Sequence, residues 1–530
     1  MMSNADRLAS CIEQKNWDEL LQILKPKFFP KDDQGKLVSP QIMAIIAQAL
    51  TNDRRDVPVK IKIIILKCLM NSCVDGYLHK EYNTEEVDSS LKCNNVLYSE
   101  ISNVLSSSNR DTNRKTSYPF FTHFPYTGVA TWAVDYITSY TTDHENSSED
   151  LEIIRLCIQF LCNLSTFACK SKIYPEYENI PKSMEEDAFK NTIMNLTQHE
   201  HMPIVKAACA YIQNTLTHSS GNYYTDSVKK QLILLLLRPV RLGCKAAADV
   251  LIHLMKEPKR LHLAYEDMQI EDKLCLLELL YSELRNSVYR ENREDDLNDL
   301  PVDAIEFLSK KFRRKSDLIL KTVDTYLDGI EPTEVTILLD ILGALTSISS
   351  SGHCILQNDK SLLINCIFLL KSLQMLGKEL NNYFTPVQKL SELAPSTQGI
   401  KDTNTSEESI SSQDKDVQAH PAFGFKAGLV RVIGNMIHKH KENQDLLRES
   451  DGIPLLLDCC NIDARNPLII QWSIMALRNA CENNMENQEV IRNLTKIGVV
   501  DSAVLQEMGL ILNQDENKNA IGIVPLVRNK

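Results

Sequence analysis

Apolar residues recur at three- and four-residue spacing along most of the chain, and stretches that alternate with a period of two are almost absent. That pattern predicts an all-α protein. Polar interruptions near 106–126, 141–150, 218–226 and 290–298 read as insertions between helices. A longer one, 395–424, crowds Ser, Thr, Glu and Asp together without an apolar face. The expected organisation is a helical-repeat region over 1–394, a disordered Ser/Thr/acidic linker over 395–424, a C-terminal domain of two or more helical repeats over 425–515, and a tail over 516–530. The densest apolar runs, Ile61 to Met70 and Leu232 to Leu237, are short and flanked or broken by Lys62, Lys67 and Arg238. A bilayer needs about 20 apolar residues, so no membrane insertion is expected.

Sliding the C-terminal quarter over itself brings two blocks into register. Glu442-Asn443-Gln444-Asp445-Leu446-Leu447-Arg448 matches Glu486-Asn487-Gln488-Glu489-Val490-Ile491-Arg492 at an offset of 44 residues. Ile433-Gly434-Asn435 matches Leu477-Arg478-Asn479 at the same offset. Periods of about 40–47 residues belong to armadillo and HEAT repeats, which bury their apolar faces by stacking on one another. Gly452 and Gly498 follow the two blocks at the head of an apolar run, as at a repeat boundary. The expected fold is therefore an armadillo/HEAT-like α-solenoid, a right-handed superhelix of roughly nine to eleven helical repeats with disordered loop insertions.

A triplet of apolar, any and Asn recurs at Asn71, Asn163, Asn214, Asn435 and Asn479. Five residues before each Asn stands an apolar residue: Leu66, Ile158, Cys209, Val430 and Ile474. The apolar positions share a helix face and Asn lies at its edge, so the face is expected to pack. Two roles suit such an Asn. Its carboxamide can satisfy backbone groups where the next helix packs, or it can hold an extended peptide by its backbone, as in armadillo-repeat nuclear-import receptors. Those receptors pair each Asn with a Trp one turn earlier. Only Trp17, Trp132 and Trp472 occur here and none stands four residues before an Asn, which disfavours an import receptor.

Composition agrees with helix and narrows the function. The 530 residues include 17 Gly and 19 Pro, below the usual ~7 and ~5 per cent, so turns are sparse. The net charge of −12 argues against nucleic acid or anionic membrane as the main partner. Fifteen cysteines, an odd number scattered through apolar stretches, suggest buried free thiols in a reducing compartment.

Candidate chemistry is thin. There is no closely spaced Gly run followed by Lys to cradle a phosphate. His199 and His201 are two residues apart, which points them to different helix faces, and His438 and His440 lie between lysines. No cysteine pair has the two-residue gap of zinc or redox motifs, and no strained nucleophile turn is present. No catalytic residue, cofactor or metal is expected. The one compact basic run, Lys310-Lys311-Phe312-Arg313-Arg314-Lys315 (310–315), offers an alternative reading as a transport or nucleic-acid adaptor. Its flanking apolar residues equally suit a solvated helix end, with the acidic stretch Glu291 to Asp299 offsetting its charge.

The C-terminal block also carries a resemblance. Phe425-Lys426, Leu429-Val430-Arg431-Val432-Ile433-Gly434-Asn435, Glu442-Asn443-Gln444, Asp451-Gly452-Ile453-Pro454-Leu455, Asn461-Ile462-Asp463, Asn466-Pro467, Gln471-Trp472, Ala476-Leu477-Arg478-Asn479 and Asn487-Gln488 follow one another in the order found in the ataxin-10 family. The resemblance covers about 425–501. Before it, only helical character and repeat style agree, and the chain departs from the family in the acidic stretch before Phe425 and the insertion around Asn109 to Tyr126. The resemblance implies a non-catalytic scaffold or adaptor in neuron survival, neurite growth (neuron projection development) and cytokinesis. It also implies a cytoplasmic location, perinuclear and at the midbody during cell division. Implied partners are O-linked N-acetylglucosamine transferase and a heterotrimeric G-protein beta subunit. Since the register puts the two C-terminal Asn at equivalent places, the partner surface is expected near Asn435, Trp472, Arg478 and Asn479.

Overall fold

The structure, a computed structural model, describes residues 4–24, 40–51, 57–75, 126–140, 147–170, 182–218, 223–288, 300–322, 330–347, 351–379, 382–389, 420–494, 510–515 and 520–525. Two compact units divide it, Met1–Leu251 and Ile252–Lys530. The polar insertions expected at 106–126, 141–150 and 290–298 fall largely outside the described residues, while the end of 218–226 leads into α10, where Thr225 is the N-cap.

The first unit holds α1 (Asn4–Glu13), α2 (Trp17–Ile23), α3 (Pro40–Thr51), α4 (Val59–Asp75), α5 (Tyr126–Thr138), α6 (Ser148–Lys170), α7 (Lys182–Glu185), α8 (Asp187–Leu196), α9 (Met202–His218) and α10 (Asp226–Arg241). The division falls inside α11 (Lys245–Met255). Its heaviest packing runs from α4 to α6 to α9. As the middle layer, α6 needs more than one apolar stripe: Ile154, Cys157, Ile158 and Leu161 are buried on one side, and Leu156 and Phe160 on another. Its start is set locally. Ser147 Oγ accepts the Asp150 backbone N–H at 3.2 Å, and Glu149 and Asp150 place negative charge in the first turn.

The second unit continues with α12 (Arg260–Tyr265), α13 (Ile270–Val288), α14 (Val302–Lys315), a 3-10 turn (Ser316–Thr322), α15 (Ile330–Ser347), α16 (Ser351–Gln357) and α17 (Lys360–Glu379). After them come α18 (Phe425–Met436), α19 (Lys441–Glu449), α20 (Gly452–Asp458), α21 (Ile469–Cys481) and α22 (Met485–Asn493). Here the row is α13, α15, α18, α21. Among the described residues one helix, α17, is long and apolar enough by length and composition to cross a bilayer. Its Leu362, Leu363, Cys366, Ile367, Leu369, Leu370 and Leu373 are buried within the unit.

Two expectations change. The block after residue 424 packs within the second unit, with α18 on α15 and α17, which precede it by tens of residues. A strap over 382–389 fastens the join. Tyr383 stacks on His420 with ring centroids 3.7 Å apart, Lys426 Nζ donates to the Phe384 carbonyl at 3.1 Å, and Arg465 Nη1 donates to the Thr385 carbonyl at 2.8 Å. The linker expected over 395–424 therefore ends early: 395–419 lie outside the described residues, while His420 to Gly424 form a packed turn into α18. The expected tail contains structure as well. β1 (Leu510–Asp515) and β2 (Ala520–Pro525) pair antiparallel, with Leu510 opposite Pro525 and Asp515 opposite Ala520. This hairpin is the exception to the all-helical reading among the described residues. Its apolar runs, Leu510-Ile511-Leu512 and Ile521-Gly522-Ile523-Val524, flank a polar turn, a strand signal that the helical periodicity elsewhere overshadowed.

Candidate interaction surface

The recurring Asn residues use their amides inside the protein. In the first unit Asn163 Nδ2 donates to the Met70 carbonyl at 3.2 Å, and Asn214 Nδ2 to the Cys162 carbonyl at 3.4 Å and its sulfur at 3.0 Å. In the second, Asn479 Nδ2 donates to the Gly434 carbonyl at 2.9 Å. In all three cases the acceptor is the residue just before the Asn of the preceding helix in the row. Asn435, whose preceding helix α15 has no such Asn, donates instead to Thr346 Oγ1 at 3.1 Å and Ser347 Oγ at 3.0 Å. Of the two roles open to these residues, the amide nitrogens serve the helix-to-helix one, with the layers stitched where a helix carbonyl would otherwise need water.

Trp472 and Arg478 point outward. Trp472 is half-buried, and Arg478 is exposed with no hydrogen-bond or ion-pair partner among the described residues. The residue one turn before Asn435 is Arg431, and its guanidinium lies 5.3 Å from the Trp472 ring centroid. Its Nη2 donates to Ser347 Oγ at 3.0 Å. Gly343 makes room for it, since a Cβ there would stand 3.4 Å from Arg431 Nη1. Arg431 thus ties α15, α18 and α21 together on one face. Beside it, burial pushes the Asp340 carboxyl up to about 6, partly offset by the Arg431 charge. The tight crossing beneath is set by Gly434, where a Cβ would come within 3.0 Å of Ala476 Cβ.

The sequence reading missed Arg431 and Asp340. A Trp one turn before Asn is a pattern within one helix, whereas here Arg431 occupies that place and the Trp comes from the next layer. Ile474 also departs from expectation: the residues five before Asn71, Asn163, Asn214 and Asn435 are fully buried, but Ile474 is 59 % exposed.

The basic run forms the last turns of α14, and Lys311, Arg313 and Lys315 are paired within the unit while Lys310 and Arg314 are exposed. Lys311 Nζ pairs with Glu266 at 2.8 Å, Arg313 with Asp359 at 3.5 Å and Lys315 with the fully buried Glu334 at 2.6 Å, while Phe312 is buried. The acidic stretch expected to offset it lies outside the described residues. His199 is occupied too: its Nδ1 accepts the His201 backbone N–H at 2.8 Å and its Nε2 meets the Tyr140 hydroxyl at 2.9 Å. His440 caps α19. No group of three metal-ligating side chains occurs among the described residues.

The model of the spinocerebellar ataxia type 10 protein domain matches residues 425–522, the stretch that holds α18 to α22 and reaches into the hairpin. Residues 425–522 thus form an ataxin-10 domain. Ataxin-10 of Xenopus tropicalis is 33% identical over 274 residues, 51% of this chain and 50% of that protein. Human ataxin-10 is 30% identical over 267 residues, 50% of each chain. The ataxin-10 homolog of Dictyostelium discoideum reaches 43% over 108 residues, 20% of this chain and 16% of its own. The chain thus spans about half the length of the ataxin-10 proteins from animals that it matches. The ataxin-10 domain extends beyond the 425–501 over which the resemblance was legible, because the hairpin carries none of the helical motifs. Arg431, Asn435, Trp472 and Asn479 are joined across α15, α18 and α21, whereas Arg478, six residues after Trp472 on α21, is turned about 120° round the helix from it.

Proposed function

We propose that this chain is a non-catalytic protein-interaction scaffold of the ataxin-10 type, and that the face built by Arg431, Trp472 and Arg478 is a docking surface for protein partners. The observation that carries the reading is the cross-layer contact of Arg431 with Trp472, with Arg478 of the same helix as Trp472 open to solvent. Trp and Arg dominate the energetics of protein interfaces because they bring large area and several donors with little loss of freedom. A surface already held rigid across three helices loses less entropy on binding. Asn435 and Asn479 act here as the frame of the surface, with Trp472 and Arg478 as its contacts.

By family resemblance the partners are O-linked N-acetylglucosamine transferase and a G-protein beta subunit, in a cytoplasmic role in neurite growth and cytokinesis. The test uses the purified full chain against each purified partner by interferometry. Trp472→Ala with Arg478→Glu is expected to weaken binding at least about tenfold, near 1.4 kcal/mol, with the helical circular dichroism unchanged. Undiminished binding by the double variant removes the surface, and failure of the parent chain to bind either protein removes the partner assignment. The nucleic-acid alternative is disfavoured by the ion pairs of Lys311, Arg313 and Lys315.

A further inference from the structure

The strap over 382–389 reads Asn-Tyr-Phe-Thr-Pro-Val-Gln-Lys. Pro386 has no N–H and disfavours helix at Thr385, so the buried main-chain groups of this segment need partners other than a helical ladder. Two bonds are made inside the strap: the Phe384 N–H donates to Asn382 Oδ1 at 2.8 Å and the Thr385 N–H to the Asn382 carbonyl at 3.1 Å. Others come from a wall opposite, made by Lys426 at the start of α18 and by Asp463, Ala464 and Arg465 ahead of α21. Arg465 Nη1 donates to the carbonyls of Asn382 at 2.5 Å and Thr385 at 2.8 Å. Lys426 Nζ donates to the Phe384 carbonyl at 3.1 Å, and the Ala464 N–H to the Val387 carbonyl at 2.7 Å. In return the Val387 N–H donates to Asp463 Oδ1 at 3.4 Å.

The wall is braced from behind. Asp463 Oδ2 pairs with Lys426 Nζ at 2.8 Å and accepts Asn466 Nδ2 at 2.8 Å, and Asn466 Oδ1 accepts the Lys426 N–H at 3.0 Å. Arg465 and Lys426 are only 2 % and 3 % exposed. Burying paired charges is often no more stabilising than burying apolar groups of the same size, so a joint that only had to hold needs no such cations. Aimed at carbonyls, they read the path of a chain and leave its side chains free to vary. Selectivity then comes from two anchors, as it does where main-chain bonds supply the affinity. Phe384 is fully buried, and Gly377 leaves the space for its carbonyl, into which a Cβ would collide. Val387 sits in a small apolar cluster with Tyr383, Phe423 and Ala464.

Release of the strap is topologically simple. α17 ends at Glu379, just before it, and thirty residues separate Lys389 from His420. At about 3.3 Å per residue that connection spans up to about 100 Å, so the strap can leave while the helices on either side stay in place.

We propose that the wall of Lys426, Asp463, Ala464 and Arg465 is a binding site for an extended peptide, filled in cis by residues 382–389 and open in exchange to a partner segment of the same chemistry. That chemistry is an aromatic residue three before an apolar one, with Pro directly ahead of the apolar residue, as in Phe384-Thr385-Pro386-Val387. Exchange trades the main-chain bonds of one chain for those of another. The strap is tethered beside its site at high effective concentration, so the parent chain takes such a segment weakly until the strap is loosened.

The probe is a fluorescein-labelled peptide with the sequence of residues 382–389, and the control is the same peptide with Ser in place of its Phe and Val. Both are titrated by fluorescence anisotropy against the parent full chain and against the full chain carrying Phe384→Ala and Val387→Ala. The double variant, with its helical circular dichroism unchanged, is expected to bind the probe at least about tenfold more tightly than the parent does and than it binds the control. Equal binding of probe and control by the folded variant overturns the proposal. If the double variant loses its helical signal, hydrogen exchange of the parent chain decides. Excess unlabelled probe is expected to speed exchange of the strap amides while those of α18 and α21 stay protected, and unchanged strap exchange overturns the proposal.

Discussion

The two consecutive repeats of the C-terminal block make a comparison within one molecule. In both, the residue before the long helix is left-handed, Gly424 at φ 76 and Leu468 at φ 63, and so is the residue ending the turn after it, Lys439 at φ 52 and Asn483 at φ 55. His440 caps α19 through the Asn443 backbone N–H, and Asn484 caps α22 through that of Asn487. Asn443 Nδ2 donates to the Met436 carbonyl at 2.9 Å, and Asn487 Nδ2 to that of Ala480 at 2.8 Å. Each pair is 44 residues apart, so the sequence offset is also an offset of hydrogen bonds. Burial does not follow it. Val430 and Leu447 are fully buried, while their counterparts Ile474 and Ile491 are exposed and half-buried. Register sets the polar skeleton of a repeat, and the layers on either side set how much of its apolar face is covered.

The strongest way to break this comparison is to remove the paired carboxamides. Asn487 has more to lose, since its Oδ1 also accepts from Arg448 Nη1 at 2.7 Å, whereas Asn443 Oδ1 has no hydrogen-bond partner. Asn487→Ala is expected to cost about 3 kcal/mol and Asn443→Ala about 2 kcal/mol, read from urea midpoints of the full chain. Equal costs would mean that the shared donor bonds carry the effect and the Arg448 bond adds nothing.

A second difference is electrostatic. Arg431 in the first repeat corresponds to Met475 in the second, so only the first leans on Asp340. Because folding raises the Asp340 pKa to about 6, folding favours its protonated form. Whatever stability this supplies is complete below the ordinary carboxylate pKa and is lost as pH rises through about 6. Asp340→Asn should therefore match the parent near pH 4 and exceed it by about 2 kcal/mol near pH 7.5. Parallel stability curves for the two proteins would refute the assignment.

Smaller effects sharpen the comparison. Leu468, 59 % exposed, holds a backbone conformation that glycine adopts one repeat earlier. Leu468→Gly is expected to stabilise by about 1 kcal/mol as the left-handed strain is relieved, and a lower thermal midpoint would show that Leu468 packing outweighs the strain. Smallest of all is His440→Asn, which copies the cap of the second repeat onto the first. Asn caps helices well, so the midpoint should move by no more than about 0.5 kcal/mol, and a larger fall would assign His440 a role beyond the cap.

Much of the site was legible and part was not. The helical period, the 44-residue register and the family motifs led to Asn435, Trp472, Arg478 and Asn479; the two Asn amides and Trp472 meet the neighbouring layers, and Arg478 is exposed. What they do there depended on residues far away in sequence. Asn435 reaches Ser347 across 88 residues and Arg431 reaches it across 84, so no local pattern announces either contact. The basic run reads as open in sequence because Glu266, Glu334 and Asp359, the acids that pair with three of its five charges, lie in other parts of the chain.

The sequence by itself determined the helices, the caps and the spacing of the repeats, because these rest on backbone hydrogen bonds and side chains a few residues apart. Only the tertiary structure decided the division near residue 251, the inward turn of the Asn amides and the contact of Arg431 with Trp472. Those depend on which distant helices share a layer, and periodicity specifies an apolar face without naming what will cover it.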